Sequence, residues 1–197
     1  MAARGRPRAF DEEEVLDIAM RLFWEHGYDG TSMSELTEAM GINRRSIYAA
    51  FGNKEALFTA ALEHYLAGPG AFVEKARALP TAREVAEAFL RGSVEAFTSS
   101  DRPSGCMAVQ AALTCSEASA AVRSDLAARR VAGMNAFRER FDRAQVDGDL
   151  PADIDTQALA SYIVALSYGI SVQANSGIGR AALSRTVDFV LSTWPGA

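Results

Sequence analysis

The chain has 197 residues, of which 49% are hydrophobic and 23% are charged, and these values are ordinary for a folded globular protein. Its two cysteines, Cys106 and Cys115, exclude a disulfide framework and a cysteine-based metal site, so we expect no metal and no cofactor. The formal net charge of −5 excludes a uniformly basic nucleic-acid-binding surface but leaves room for local basic patches.

The composition predicts an all-α protein. Alanine is abundant, proline is scarce, and no alternating run rich in β-branched residues indicates a strand. No stretch approaches the roughly 20 apolar residues that a membrane-spanning helix needs, and no apolar run follows the first arginines as in a secretory signal. We therefore expect a cytoplasmic protein with no membrane partner.

Residues 1–8 form a basic segment that is interrupted by glycine and proline and contains Arg4, Arg6 and Arg8. Two interpretations stay open: a disordered tail, or an arm that lies along DNA phosphates or in the minor groove. Acidic residues follow from Asp11 onward, so the positive charge is local. Arg4 and Arg6 are candidate DNA contacts.

A first amphipathic helix is predicted from Asp11 to His26. Its apolar residues recur with helical spacing and form one stripe, which consists of Val15, Ile18, Ala19, Leu22 and Phe23. Acidic residues favour the helix N-terminus, and Gly27 is a natural residue to end the helix. Residues 28–30 are predicted to form a connection.

Residues 32–51 predict a helix-turn-helix, in which a short supporting helix precedes a recognition helix. Ser32 and Glu35 have the spacing of a capping box at the start of the supporting helix, and Gly41 permits the tight turn. Asn43 is placed to cap the recognition helix. The side chains spaced to bury one face of that helix are Ile47, Tyr48 and Phe51.

A fourth helix is predicted to begin at Lys54 and to end at the Gly68-Pro69-Gly70 break, which is the best candidate for a domain boundary. We therefore predict a DNA-binding domain over residues 9–69 and a second helical domain over residues 70–197. Further helices are expected near residues 70–79, 82–98, 105–115, 119–146, 155–175 and 180–194.

The last two predicted helices are apolar over more than one face, and such helices must be buried on more than one side. An internal core accounts for part of this burial. Half of an intermolecular bundle would account for the rest. We favour a homodimer, because a helix-turn-helix normally reads two half-sites about a twofold axis.

The order of these motifs resembles the TetR family of bacterial transcriptional regulators. The matching motifs are Phe23-x-x-x-Gly27-Tyr28, Gly30-Thr31-Ser32, Leu36-Thr37-x-Ala39-x-Gly41-Ile42, Ser46-Ile47-Tyr48-x-x-Phe51 and Lys54-Glu55-x-Leu57. They cover about a third of the chain and are far more specific than an isolated helix-turn-helix. The resemblance implies a three-helix N-terminal DNA-binding domain and a C-terminal helical bundle for ligand binding and dimerisation.

The resemblance also implies roles within the helix-turn-helix. Arg44 is placed to contact a guanine or a phosphate, and Tyr48 and Lys54 resemble the family's phosphate contacts. Arg45 stands where the family often has a small residue, so its role is open. The hydroxyl groups near the supporting helix either touch the DNA backbone or act only as caps. The complete set of predicted DNA contacts is Arg4, Arg6, Thr31, Ser32, Ser34, Asn43, Arg44, Arg45, Ser46, Tyr48 and Lys54.

Regulators of this family usually carry a small-molecule pocket in their C-terminal helices, so the resemblance implies a mostly hydrophobic effector. Aromatic and methionine residues at helical spacing are more often ordinary core, and this alternative stays open. Cys106 is either a thiol of lowered pKa near a helix N-terminus or a small buried residue. The candidate lining residues are Phe89, Phe97, Met107, Gln110, Met134, Phe137, Phe141, Tyr162 and Tyr168.

The resulting hypothesis is a dimeric repressor that binds a palindromic operator in double-stranded DNA and is released by its effector. One alternative is a regulator without a small-molecule ligand, and another is a helical enzyme. The sequence offers no carboxylate pair, nucleophile–base set or metal-ligand spacing to support an enzyme.

Overall fold

The computed structural model describes residues 10–195, and every regular element in that range is helical, which confirms the all-α prediction. The predicted basic arm, with Arg4, Arg6 and Arg8, lies outside these residues. A 3₁₀ turn at Glu117–Ser119 precedes the longest helix. The helices are α1 (Glu12–Gly30), α2 (Met33–Met40), α3 (Arg44–Phe51), α4 (Lys54–Ala67), α5 (Phe72–Arg77), α6 (Ala82–Phe97), α7 (Met107–Thr114), α8 (Ala120–Val146), α9 (Thr156–Asn175) and α10 (Arg180–Ser192).

The boundaries of the helix-turn-helix lie close to their predicted places because capping side chains fix them. The Ser32 hydroxyl accepts a hydrogen bond from the Glu35 amide at 3.1 Å, and the Glu35 carboxylate accepts one from the Ser32 amide at 2.7 Å. Asn43 accepts a bond from the Ser46 amide at 2.9 Å and so begins α3. Between the two helices, Gly41 has a φ of 64°, in the left-handed region that the turn requires.

Helix α1 differs from its prediction, because the chain kinks at Gly27 and then completes another helical turn. Gly27 has φ 73° and ψ 176°, a region of backbone space that is essentially restricted to glycine. The Thr31 hydroxyl donates to the Gly27 carbonyl at 2.8 Å and lies 3.2 Å from the Leu22 carbonyl, which holds the kink. Residues 28–30 are therefore helical and do not form an irregular connection.

An aromatic cluster forms the centre of the N-terminal core. The ring of Phe23 in α1 meets that of Phe58 in α4 edge-on, with centroids 5.2 Å apart. The Trp24 and Tyr65 rings meet in the same way at 4.7 Å. Edge-to-face contacts of this kind stabilise a core beyond the area they bury, so α1 and α4 are firmly joined.

The N-terminal core does not end at the predicted domain boundary. The Trp24 indole donates to the Gly105 carbonyl at 3.1 Å, and the Asp29 carboxylate accepts from the Ser116 amide at 2.5 Å. Four side chains from α7 and α8 complete the same core, namely Met107, Ala111, Val122 and Leu126. The chain breaks near Gly68 as expected, but the two halves share packing across α1 and α7, and the division at residues 69–70 stays a prediction.

The second core lies among α6, α8, α9 and α10. Helix α5 closes one end of it, where the Phe72 ring lies against α6 at Gly92, a position at which any Cβ would overlap that ring. Helix α9 contains 20 residues and none of them is charged.

In the described part of the chain, no helix is both long enough and apolar enough to cross a membrane.

We predict that Gly27→Ala lowers the free energy of unfolding by about 2–3 kcal/mol, because a side chain there is forced into strained backbone and its Cβ would overlap the Thr114 hydroxyl. Denaturant unfolding followed by circular dichroism, at one fixed protein concentration, measures this loss. Gly30→Ala is the matched control, since its added Cβ would make an ordinary 3.5 Å contact with His26. Equal stabilities of the two variants would contradict the role of the kink.

Candidate nucleic-acid interface and ligand chamber

Helix α3 presents a short polar face to solvent. Ile47 is fully buried and Phe51 packs beside it, while Tyr48 is 36% exposed. The expectation that Tyr48 shares the buried face is therefore wrong. A helix of eight residues packs through one narrow stripe, and Tyr48 is rotated by about 100° from Ile47 because a turn takes about 3.6 residues.

The exposed face of α3 carries an arginine–tyrosine pair. The Arg44 Nε donates to the Tyr48 hydroxyl at 3.0 Å, and its guanidinium carbon lies 5.3 Å from the ring centroid. Because a guanidinium has five N–H donors, this bond leaves donors for a base or a phosphate. The pair sits on the first turns of α3, directly after the Asn43 cap.

The other predicted contacts fall into two groups. Ser32, Ser34 and Arg45 are exposed, and Asn43 and Ser46 lie at the capped start of α3. Ser32 and Asn43 also use their side chains as caps. Thr31 differs from both groups, because its side chain is fully buried and its hydroxyl holds the Gly27 kink. The prediction that the Thr31 side chain contacts DNA is therefore wrong.

Lys54 is the first residue of α4, and its ammonium group lies over an aromatic ring. Its Nζ lies 4.3 Å from the centroid of the Tyr28 ring, and the residue is half-buried. Burial lowers the pKa of Lys54, and the carboxylates of Asp29 and Glu35 oppose that change. The ring fixes the position of the ammonium group close to the end of α3.

A cavity lies where α4, α5, α6, α7, α8 and α9 meet. One part of it, the chamber, has a volume of about 160 Å³, and an adjoining part, the vestibule, has a volume of about 350 Å³ and shares nine of the chamber's lining residues. The Phe89 and Phe137 rings are 4.5 Å apart, and Phe72 stacks on Phe89 at 6.1 Å, so the chamber wall is largely aromatic. The predicted lining residues that the structure brings together here are Phe89, Phe97, Met134, Phe137 and Tyr168.

Four predicted lining residues lie elsewhere. Met107 is buried in the N-terminal core, and Phe141 is buried beside Trp194. Tyr162 is 48% exposed on the outer face of α9, and Gln110 lines a separate polar cleft. Helical periodicity indicates which helix faces are apolar, but it does not distinguish an exposed apolar face, a filled core and a wall around empty space.

The sequence-based prediction missed several residues of the chamber. Tyr65, Cys106, Ser167 and Arg130 all line it. Cys106 precedes α7, as expected, but burial raises the pKa of its thiol, so the hypothesis of a lowered pKa is not supported. For Arg130 a signal was available in the sequence, because no acidic residue stands three or four positions before or after it.

Two family models match the chain. Residues 15–61 match the model of bacterial regulatory proteins of the tetR family, and residues 83–187 match the tetracyclin repressor-like C-terminal domain. The chain belongs to the TetR family. The resemblance found in residues 23–57 is therefore confirmed, and the family of this chain consists of transcriptional regulators.

Relatives of known name and structure agree with this TetR assignment. The HTH-type transcriptional repressor ComR of Escherichia coli K12 is 33% identical over 98% of this chain and 93% of its own length. A cysteine-substituted form of the TetR-family regulator CifR, solved with 26-bp double-strand operator DNA, has a TM-score of 0.91. It is 46% identical and covers 96% of this chain and 100% of its own. A TetR regulator from Rhodococcus sp. RHA1 is 42% identical with a TM-score of 0.64, and covers 95% of this chain and 100% of its own.

Proposed function

We propose that this TetR-family chain is a dimeric repressor that binds a palindromic operator through α3 and leaves it when a small hydrophobic effector fills the chamber. The observation that carries the proposal is the exposed Arg44–Tyr48 pair at the capped start of a short helix that is anchored by the buried Ile47. The CifR complex with operator DNA supports DNA as the binding partner, since that protein is similar over nearly the whole chain.

The local charge around α3 favours DNA although the whole chain is acidic. Residues 43–54 include Arg44, Arg45 and Lys54 and contain no acid, so a positive patch stands at one end of a chain with net charge −5. The first turn of α4, capped by Asn53, directs free amide groups to the same side as Lys54, and such helix starts bind phosphate. In this proposal Arg44 contacts a base edge, and Tyr48 and Lys54 contact phosphates.

We predict that Arg44→Ala combined with Tyr48→Ala weakens operator binding at least tenfold, because a base contact of this kind contributes about 1–3 kcal/mol. Gel shifts with the DNA upstream of the chain's own gene, at several salt concentrations, measure the loss. Arg143→Ala removes an exposed arginine far from α3 and serves as the control. Unchanged affinity of the double variant, or no binding by the wild type at low salt, would contradict the proposed interface.

The outer faces of α9 and α10 support the homodimer. Phe189 is 71% exposed, and Tyr162 and Val172 are also exposed on or beside a helix that has no charged residue. Large apolar side chains exposed on two packed helices mark an interaction site, although the charged residues Arg185 and Asp188 stand close to Phe189 on α10. A twofold axis through this surface would present two copies of α3 to successive half-sites about 34–36 Å apart.

We predict that Tyr162→Glu combined with Phe189→Glu gives a monomer, because four carboxylates would then be buried at the twofold interface. Light scattering coupled to size-exclusion chromatography measures the mass, and circular dichroism checks that the helices remain. Leu113→Glu is the control, since that leucine is 66% exposed at the end of α7 opposite to the one that bonds to α9 through Cys106 and Ser171. A double variant that remains dimeric would place the interface elsewhere.

Tyr65 supports a route from the chamber to the DNA-binding helices. Its ring lines the chamber and also touches Trp24 of α1, and α4 runs from Tyr65 back to Lys54 beside α3. An effector that favours a different position of Tyr65 would shift α4 and so the spacing of the two recognition helices. A hundredfold change in DNA affinity requires a coupling free energy of about 2.7 kcal/mol, which is within the usual range.

We predict that Gly133→Leu abolishes release by effectors without weakening DNA binding. Gly133 lines the chamber, and a Cβ added there meets nothing within 4 Å, so a leucine would occupy ligand space without strain. Fluorescence anisotropy of labelled operator DNA, titrated with a panel of hydrophobic compounds, measures release by wild type and variant. Equal release from both proteins would place the effector outside the chamber. Release from neither would favour the regulator without a small-molecule ligand.

A further inference from the structure

The chamber has a wall without negative charge. Among the described residues that line it there is no aspartate and no glutamate, and the wall consists mainly of aromatic and aliphatic side chains. Its polar groups are few, namely Tyr65, Cys106, Ser167, Tyr168 and the two arginines Arg129 and Arg130. A ligand that enters this space leaves water and finds few partners for a hydrogen bond. The body of the ligand is therefore apolar, since burying an unpaired polar group costs free energy.

The charged side chains around the chamber and the vestibule differ in whether a partner of opposite charge holds them. Arg129 is paired with two carboxylates, Glu63 at 2.7 Å and Asp125 at 2.8 Å. Glu74, the one acid lining the vestibule within residues 10–195, is paired with Arg77. These carboxylates already hold the guanidinium groups of Arg129 and Arg77, so neither arginine is free to pair with a ligand.

Arg130 differs from these paired side chains. It lines both the chamber and the vestibule, and it forms no ion pair with any residue from 10 to 195. Its guanidinium carbon lies 5.6 Å from the centroid of the Tyr168 ring, which holds the group beside the opening. Within residues 10–195, Arg130 is therefore the arginine of this wall whose guanidinium is not held by a carboxylate.

We propose that the chamber selects small amphipathic carboxylates, whose head group pairs with Arg130 while the apolar tail lies among the chamber rings. The proposal rests on the ligand-binding role of the chamber proposed above and adds the charge of the ligand. A guanidinium matches a carboxylate with two parallel hydrogen bonds, so Arg130 gives orientation as well as attraction. An amine head group would be repelled, and an alcohol would gain only an ordinary hydrogen bond.

The test is calorimetric binding of octanoate, n-octanol and octylamine to the full chain at neutral pH, without DNA. We expect octanoate to bind about tenfold more tightly than n-octanol, because a charge-assisted bond that is partly exposed contributes about 1.5 kcal/mol, and octylamine to bind most weakly. In Arg130→Gln, octanoate should fall to the affinity of n-octanol, whose own affinity stays the same. Arg130→Lys should keep part of the preference, and the control Arg143→Gln should keep all of it.

Several outcomes would overturn the proposal. Equal affinities of octanoate and n-octanol for the wild type would show that charge is not selected, and a preference that survives in Arg130→Gln would assign it to another group. Binding of neither probe would overturn the apolar ligand site of the proposed function as well. In a separate titration with labelled operator DNA, a failure of octanoate to release the operator would count against the proposed mechanism of release and leave the charge selection intact.

Discussion

The edge-on contact between Trp24 and Tyr65 is the interaction on which both halves of this regulator depend. It joins α1 to the end of α4, while the Trp24 indole reaches across to the backbone at Gly105 and the Tyr65 ring forms part of the chamber wall. Packed aromatic rings tolerate two discrete arrangements better than a gradual shift, because interiors are close-packed. A ligand that touches Tyr65 therefore acts on a side chain that already belongs to the core of the DNA-binding helices.

The surface proposed to face DNA owes its shape to how little of α3 is buried. Ile47 anchors the helix and Asn43 caps it, so the remaining face is free to carry an arginine and a tyrosine that hold each other. Such mutual support would reduce the side-chain entropy that each residue loses in the proposed contact with DNA. The same arrangement explains how a chain with an acidic total can present a cationic surface at one end.

Most of the fold could be predicted from the sequence, because its helix boundaries depend on local chemistry. Local hydrogen bonds specify the ends of these helices: α2 begins at the capping box of Ser32 and Glu35 and ends at Gly41, and α3 begins at the Asn43 cap. The failures concern relations between distant segments. Thr31 resembled an exposed hydroxyl because the Gly27 kink that buries it is a tertiary feature, and Met107 and Phe141 resembled lining residues because periodicity cannot show which buried face surrounds a void.

The attachment of α1 to α7 has a consequence for how such regulators can be recombined. Trp24 bonds to Gly105 and Asp29 to Ser116, so cutting the chain near Gly68 separates α1 from half of its packing surface. A chimera that joins the N-terminal helices of this chain to the C-terminal domain of another regulator would lose the packing between α1 and α7. Including α7 in the transferred segment would keep that packing. If α3 contacts the operator as proposed, operator preference is free to diverge through substitutions at exposed positions such as Arg44 and Arg45, which lie outside the contact between α1 and α7.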